Sequence, residues 1–190
     1  MASLYFRYSS MNSGKSLDLL KVAFNYEERQ QKVIILTSML DTRGGINKVS
    51  SRVGIERKAY GVNKYENVSD IYDFSKYDCV LVDEVQFFTK AQIYQLADIV
   101  DTYNIPVICY GLRSDFKLEP FEGSIYLMTI ADKIEELKSI CFCGKKATVN
   151  ARIVDDKIVY DGSQVQIGGN ETYVTVCRKH FKEGKFRLEN

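Results

Sequence analysis

Apolar positions along the first two thirds of the chain alternate between short continuous runs and helical spacings. Four apolar or β-branched runs have the length of strands: residues 4–8, 33–37, 79–82 and 107–110. The last two are continuous enough to predict buried strands. Between them, residues 15–29 and the segment after Thr89, a suitable N-cap, repeat apolar residues at helical spacing. Strands that alternate with helices predict an α/β fold with a mainly parallel sheet and helices on both faces.

Two stretches depart from this alternation. Residues 41–54 are rich in glycine, asparagine and serine, which predicts a mobile loop of the kind that often carries function. Beyond residue 140, turn residues separate short strand-like runs at residues 148–154, 158–160 and 173–176. We therefore divide the chain into an α/β domain, residues 1–140, and a small β domain, residues 141–190.

Composition and charge narrow the class of protein. Twenty-six Lys and Arg balance 25 Asp and Glu, so the formal net charge is +1, which argues against a protein drawn to nucleic acid or acidic lipid by its overall field. No apolar run has the length of a membrane span, and the N-terminus lacks the features of a signal peptide. We expect a cytoplasmic protein without nucleic-acid or membrane partners, in a reducing compartment where disulfides are rare.

The connection between the first strand and the first helix predicts a phosphate-binding loop. Small residues let consecutive backbone N–H groups turn inward, while Lys15 suits the β- and γ-phosphates and the Ser16 hydroxyl suits Mg²⁺. The strict pattern has glycine where this chain has Ser9, and the alternative is an ordinary loop with a lysine at the helix start. The nucleotide-binding residues would be Ser9, Ser10, Met11, Asn12, Ser13, Gly14, Lys15 and Ser16.

A phosphate loop requires a carboxylate at the end of another parallel strand, within reach of Mg²⁺ or its water shell. Asp83 and Glu84 directly follow the apolar run 79–82. Asp83 is best placed for the metal, and Glu84 is free to act as a general base on an attacking hydroxyl or water. Taken alone, the pair could equally be a solvated turn or the start of a helix.

The five cysteines and the single histidine of the chain are unevenly placed. Three cysteines and the histidine form two close pairs: Cys141 with Cys143, and Cys177 with His180. Three thiolates and one imidazole are a closed tetrahedral set, which is typical of structural zinc and leaves no open position for catalysis. The alternative is free buried cysteines, to which we assign Cys79 and Cys109 because both lie inside apolar runs.

In this order the motifs resemble those of the type II thymidine kinase family, the small zinc-containing deoxynucleoside kinases with a RecA-like P-loop fold. The resemblance covers nearly the whole chain. Beyond the phosphate loop and the metal ligands it includes DTR at 41–43, DEVQFF at 83–88, Phe116 with PF at 120–121, IGG at 167–169, and Tyr173 before Cys177. Two departures are Ser9 and the Cys-x-Cys with Cys-x₂-His ligand set, where many members have four cysteines.

The resemblance implies transfer of the γ-phosphate of ATP to the 5′-hydroxyl of thymidine, with Mg²⁺ as the catalytic metal and Zn²⁺ as a structural one. It implies that Glu84 is the general base, that Arg43 steadies the transferred phosphoryl group, and that Lys15 holds the phosphates. Asp83 would support Mg²⁺ through water, and Gln86 would lie with the nucleotide site. The resemblance also implies a homotetramer and feedback inhibition by dTTP.

The resemblance further places thymine under a lid from the small domain. The nucleoside-binding residues would be Met11, Phe116, Gln164, Val165, Gln166, Ile167, Gly168 and Tyr173. From the residues alone, Phe116 and Tyr173 are more simply interpreted as core aromatics.

Two other functions use part of these motifs. A RecA-like P-loop ATPase acting on nucleic acid would also place an Asp-Glu pair at a strand end, but it should carry a basic stripe that this charge balance does not favour. A non-enzymatic zinc-ribbon binding module would leave Lys15, Asp83 and Glu84 without a purpose.

Overall fold

A computed structural model of the protein describes residues 1–40, 47–165 and 172–188. Its centre is a six-stranded sheet in which every pairing is parallel. The strand order is β5 (Tyr60–Val62), β2 (Val33–Ser38), β6 (Cys79–Asp83), β7 (Val107–Leu112), β1 (Leu4–Ser9) and β8 (Lys133–Glu136). The predicted parallel α/β architecture is confirmed.

Helices cover both faces of this sheet because successive strand residues point to opposite sides. On one face, Leu81 packs in the core that includes α1 (Lys15–Glu27). On the other, Val80 packs in the core formed with α2 (Lys90–Tyr103) and α3 (Glu122–Ile130). The sheet is therefore buried on both sides, as its continuous apolar strands predict.

The two cysteines assigned to the core are buried there. Cys79 and Cys109 are both 0% exposed and unpaired. Burial raises the pKa of Cys79 to about 12 and raises that of Cys109 further, because a thiolate is poorly solvated in an apolar layer. Both thiols are therefore protonated and unreactive in the folded protein.

The expectation of a mobile loop over residues 41–54 is wrong for part of that range. β3 (Lys48–Ser50) pairs antiparallel with β4 (Glu56–Lys58), and Val49 is buried in the core beneath α1. A strand of three residues with one apolar side chain has no periodicity to detect. Residues 41–46 lie outside the described part of the chain.

A small β region follows the large sheet. Its elements are β9 (Ser139–Ile140), β10 (Lys146–Ala147), β11 (Val149–Val154), β12 (Lys157–Val159), β13 (Tyr173–Val176) and α4 (Arg178–Lys182). β9 and β10 form a hairpin, and β11 is the central strand of an antiparallel sheet between β12 and β13. Val149, Ala151 and Phe181 belong to its own core. The division of the chain into domains at residue 140 stays a prediction.

Candidate active site

The phosphate loop lies between β1 and α1, at the edge where the parallel strands end. Ser9 is the last residue of β1 and pairs with Leu112 of β7. The left-handed turns of the loop are made by Asn12, with φ 61°, and Gly14, with φ 83°. Because Ser9 keeps strand geometry, the first position of this loop does not need the conformational freedom of glycine.

Lys15 folds back over the loop and is only 8% exposed. Its Nζ donates to Ser9 Oγ at 3.2 Å and to the backbone oxygen of Ser10 at 3.1 Å. The Ser10 hydroxyl is buried and has no hydrogen-bond partner among the described residues. A buried ammonium group beside an unpartnered hydroxyl, at the N-terminus of α1, is a set of donors that fits a phosphate group.

Ser16 and Asp83 meet across the site although they are far apart in sequence. Ser16 Oγ donates to Asp83 Oδ2 at 2.9 Å. Asp83 ends β6 and is 4% exposed. A hydroxyl and a carboxylate next to a phosphate loop are the oxygen ligands that fit Mg²⁺.

Glu84 is the residue that follows Asp83. Its backbone is left-handed, with φ 51°, a conformation that is costly for a residue other than glycine and recurs at functional sites. Glu84 Oε2 accepts a hydrogen bond from Gln86 Nε2 at 2.5 Å, and Gln86 Oε1 accepts one from the backbone N–H of Leu112 at 3.1 Å. The two consecutive carboxylates therefore have different partners.

Two glycines let neighbouring elements pack against the turn after Glu84. A Cβ atom on Gly123 of α3 would lie 2.3 Å from the backbone oxygen of Val85. A Cβ atom on Gly111 of β7 would lie 2.8 Å from Gln86 Oε1. The Gly123 contact is with backbone, so that position requires glycine for the observed close approach, whereas a Cβ atom at Gly111 would first displace the Gln86 side chain.

A pocket opens between this edge of the sheet and the small β region. It is lined by five of the residues predicted to bind nucleoside, together with Gln86: Met11, Phe116, Gln164, Val165 and Tyr173. Gln86 thus contacts Glu84 and lines the pocket; its place at the nucleotide site stays a prediction. The remaining predicted residues, Arg43, Gln166, Ile167 and Gly168, lie outside the described residues.

Arg152 holds the two aromatic walls of the pocket. Its guanidinium lies 3.7 Å from the centroid of the Phe116 ring. Its Nε and Nη2 donate to the Tyr173 hydroxyl at 3.0 and 2.8 Å. Phe116 and Arg152 are 1% and 3% exposed, so Phe116 is a buried aromatic and a pocket wall at the same time.

The small β region also contacts the phosphate loop directly, at Met11. Asn150 Oδ1 accepts the Met11 N–H at 2.7 Å, and Thr175 Oγ1 donates to the Met11 backbone oxygen at 3.0 Å. Asn150 and Thr175 are opposite each other on β11 and β13. Sequence reasoning missed these two residues and Arg152. The available signal was polar residues alternating with apolar ones along β11.

The four predicted zinc ligands, Cys141, Cys143, Cys177 and His180, come together. Their ligand atoms all lie within 4.8 Å of one another, and His180 Nδ1 is 3.4 Å from Cys141 Sγ and 3.5 Å from Cys177 Sγ. Ligands at ~2.3 Å (sulfur) and ~2.0 Å (nitrogen) around a tetrahedral zinc have this spacing. The donor set therefore fits a closed structural zinc site.

Comparison with known proteins agrees with this arrangement. Residues 2–181 match the family model described as thymidine kinase. A thymidine kinase from Francisella tularensis subsp. holarctica (strain LVS) is 50% identical over 196 residues, which cover 98% of this chain and 100% of the relative. Thymidine kinases from Lactococcus lactis subsp. lactis (strain IL1403) and Enterococcus faecalis (strain ATCC 700802 / V583) are 52% and 54% identical over 184 residues each. These alignments cover 95% of this chain in both cases, and 97% and 95% of the two relatives. The chain belongs to the thymidine kinase family.

Proposed function

We propose that this protein is a thymidine kinase that transfers the γ-phosphate of ATP to the 5′-hydroxyl of thymidine. The observation that carries this assignment is the hydrogen bond between Ser16 and Asp83, which joins the phosphate loop to the end of the strand that Glu84 follows. Groups that can bind phosphate, bind a metal ion and accept a proton thus lie at one edge of the sheet. They are next to the pocket that has the aromatic walls Phe116 and Tyr173.

The phosphate loop binds the triphosphate of ATP in this proposal. Lys15 neutralises the β- and γ-phosphates from its position over Ser9 and Ser10. The Ser10 hydroxyl, buried without a partner among the described residues, gains a phosphate oxygen as acceptor. Arg43, on the family resemblance, adds a planar cation that steadies the phosphoryl group during transfer.

Ser16 and Asp83, joined by their hydrogen bond, would hold the catalytic metal. Mg²⁺ bound there would supply charge neutralisation for the phosphoryl group. Glu84 accepts the proton of the 5′-hydroxyl, and Gln86 orients the carboxylate by its hydrogen bond to Oε2. Phosphoryl transfer depends on positioning and charge more than on covalent chemistry, so these few groups are sufficient.

The nucleoside binds in the pocket beneath the small β region. Phe116 and Tyr173, held by Arg152, form rigid aromatic walls for a base. Met11 of the phosphate loop and Gln164 and Val165 of the small β region also line this pocket. Gln166, Ile167 and Gly168 complete the lid on the family resemblance alone.

The zinc site has a structural role in this proposal. Cys141 follows β9 and Cys177 follows β13, so one ion joins the two ends of the small β region. That region holds the pocket walls and the hydrogen bonds to Met11. Zinc therefore supports substrate binding from a distance and takes no part in the chemistry.

The family resemblance also leads us to propose a homotetramer, inhibition by dTTP and a cytoplasmic location. None of the helices in the described residues combines the length and apolar character needed to cross a bilayer. Light scattering of the purified protein tests the tetramer, and kinase assays with added dTTP test the inhibition.

The central experiment measures ADP release from ATP and Mg²⁺ with thymidine, deoxyuridine, deoxycytidine or no nucleoside. We expect release with thymidine, formation of an equal amount of dTMP, and background release without nucleoside. A parallel reaction with single-stranded DNA or RNA and no nucleoside tests the RecA-like ATPase. ADP release that needs nucleic acid and ignores thymidine would contradict the kinase.

A further inference from the structure

Asp115 lies in the connection between β7 and α3 and is 3% exposed. One of its carboxylate oxygens has a clear structural role. Oδ1 accepts the backbone N–H groups of Lys117 and Glu119 at 2.8 and 2.9 Å, and the Asp115 N–H donates to the backbone oxygen of Glu119 at 2.9 Å. These hydrogen bonds stabilise the turn, and either an aspartate or an asparagine side chain could accept them.

The second oxygen has no such role. Asp115 Oδ2 is buried and has no hydrogen-bond partner among the described residues. Arg152, the buried cation that stacks on the neighbouring Phe116, donates to the Tyr173 hydroxyl. A buried acceptor without a donor is unfavourable and rare in native proteins. The missing donor must therefore come from outside the described residues.

The place of Asp115 identifies the source of that donor. Asp115 lines the same pocket as Gln86, Phe116, Asn150 and Tyr173. A carboxylate oxygen accepts hydrogen bonds, so the partner that fits Oδ2 is an N–H or O–H group of a ligand. Apart from the reacting 5′-hydroxyl, thymidine has two such groups, the imide N3–H of the base and the 3′-hydroxyl of the sugar.

We propose that Asp115 is a specificity-determining residue whose Oδ2 accepts a hydrogen bond from the nucleoside, from its N3–H or its 3′-hydroxyl; this rests on the proposed thymidine kinase function. Asp115 thus has two separate tasks. Oδ1 stabilises the turn that carries Phe116, and Oδ2 accepts a hydrogen bond from the substrate.

The substitution Asp115→Asn separates the two tasks. Asparagine keeps an oxygen for the N–H groups of Lys117 and Glu119 but presents an amide donor in place of Oδ2. Calorimetric titration with thymidine should show affinity reduced about 10- to 100-fold, the range for a lost hydrogen bond to a charged group. Because Oδ2 lacks a protein partner, the melting temperature of the variant should be that of the wild type or higher.

Two analogues identify the donor. N3-methylthymidine lacks the imide donor, and 3′-deoxythymidine lacks the sugar hydroxyl. For the analogue without the donor that Asp115 reads, wild type and Asp115→Asn should bind within about twofold of each other, while the other analogue shows the full loss. An equal loss for all three nucleosides, or no loss for thymidine, would overturn the proposal.

Controls keep the outcome unambiguous. Glu119→Gln removes one carboxylate from an exposed position of the same turn and should leave thymidine affinity unchanged. Asp115→Ser retains a short acceptor for the turn and lacks Oδ2, so it replaces Asp115→Asn if that variant unfolds. Wild-type phosphorylation of thymidine is measured in parallel. If the wild type does not phosphorylate thymidine, the proposed function fails independently of Asp115.

Discussion

Glu84 shows how much of the proposed chemistry depends on one residue. Its backbone is left-handed, and its carboxylate accepts a hydrogen bond from the Gln86 side chain. Neither the backbone conformation nor the Gln86 contact could be predicted from the Asp-Glu pair, because both depend on how the next turn packs against β7 and α3.

Replacing Glu84 by Gln should lower kcat by about 10²–10⁴-fold, since the amide has the shape of the carboxylate but cannot accept a proton. ATP affinity should be nearly unchanged, because the phosphate contacts come from the loop. Steady-state kinetics and ATP titration measure both. Glu119→Gln is the matched exposed control, and turnover equal to the wild type would remove Glu84 from the role of base.

At the level of elements, α3 carries the closest packing in the site. Replacing Gly123 by Ala would favour the isolated helix, but the new Cβ would lie 2.3 Å from the backbone oxygen of Val85. We expect the clash to dominate and to lower the free energy of unfolding by about 1–3 kcal/mol.

The Gly123→Ala variant should also lose kcat, because the displaced segment carries Glu84 and Gln86. Denaturant unfolding and steady-state kinetics measure the two effects. Thr129→Ala, at an exposed position of the same helix, should leave kcat unchanged. Wild-type kcat for Gly123→Ala would show that the turn after Glu84 tolerates displacement.

A polar network joins α1 to the sheet beneath the phosphate loop. Asp18 of α1 accepts hydrogen bonds from Arg7 of β1 at 2.9 Å and from Tyr110 of β7 at 3.0 Å. Burial by itself raises the pKa of Asp18, but hydrogen bonds from Lys21 and Tyr110 and the charge of Arg7 outweigh it and lower the pKa. The ionised form of Asp18 is therefore more stable in the folded protein than in the unfolded chain.

The lowered pKa predicts how this network responds to acid. Its contribution to stability is complete above the unfolded pKa of about 4 and is lost as the pH falls through the lower folded pKa. Asp18→Asn should lower the free energy of unfolding by about 1–2 kcal/mol at neutral pH, and this difference should shrink as the pH falls below about 4. Urea unfolding as a function of pH measures it.

Asp98, exposed on α2, provides the control for the network. Asp98→Asn should leave the free energy of unfolding unchanged across the same pH range. A difference between wild type and Asp18→Asn that stays constant down to low pH would contradict the assignment of this stability to the ionised carboxylate.

At the scale of the whole molecule, the predicted zinc site and the phosphate loop are connected through the small β region. Asn150 and Thr175 hold both backbone groups of Met11. Thr175 lies two residues before Cys177 of the cluster, and β11 begins opposite Val176, the last residue of β13. Metal at that cluster should therefore influence the loop that binds ATP as well as the pocket.

Removal of zinc by a chelator should make three of the five thiols reactive in the folded protein: Cys141, Cys143 and Cys177. Cys79 and Cys109 should react only after unfolding, because burial raises the pKa of both. Thiol titration before and after chelation, with metal analysis, measures this. Three reactive thiols before chelation, or fully active metal-free protein, would contradict a structural zinc site.

Much of the site was predictable because its groups lie close together in the sequence. The phosphate loop, the Asp83-Glu84 pair and the two Cys/His pairs each occupy a few consecutive residues. A short spacing is sufficient to place their groups together once the parallel sheet is assumed. The β3–β4 hairpin was missed for the opposite reason, since its one buried residue, Val49, has no repeating pattern around it.

The sequence by itself determined the fold class, the family and the chemical groups present, because strand and helix periodicity and short spacings are properties of neighbouring residues. Only the tertiary structure decided that Asn150 and Thr175 hold Met11 and that Arg152 supports Phe116. It alone showed that Asp115 Oδ2 is buried without a partner among the described residues. These relations depend on the register of β11 and β13 and on how they pack against the sheet edge, over separations that no local pattern encodes.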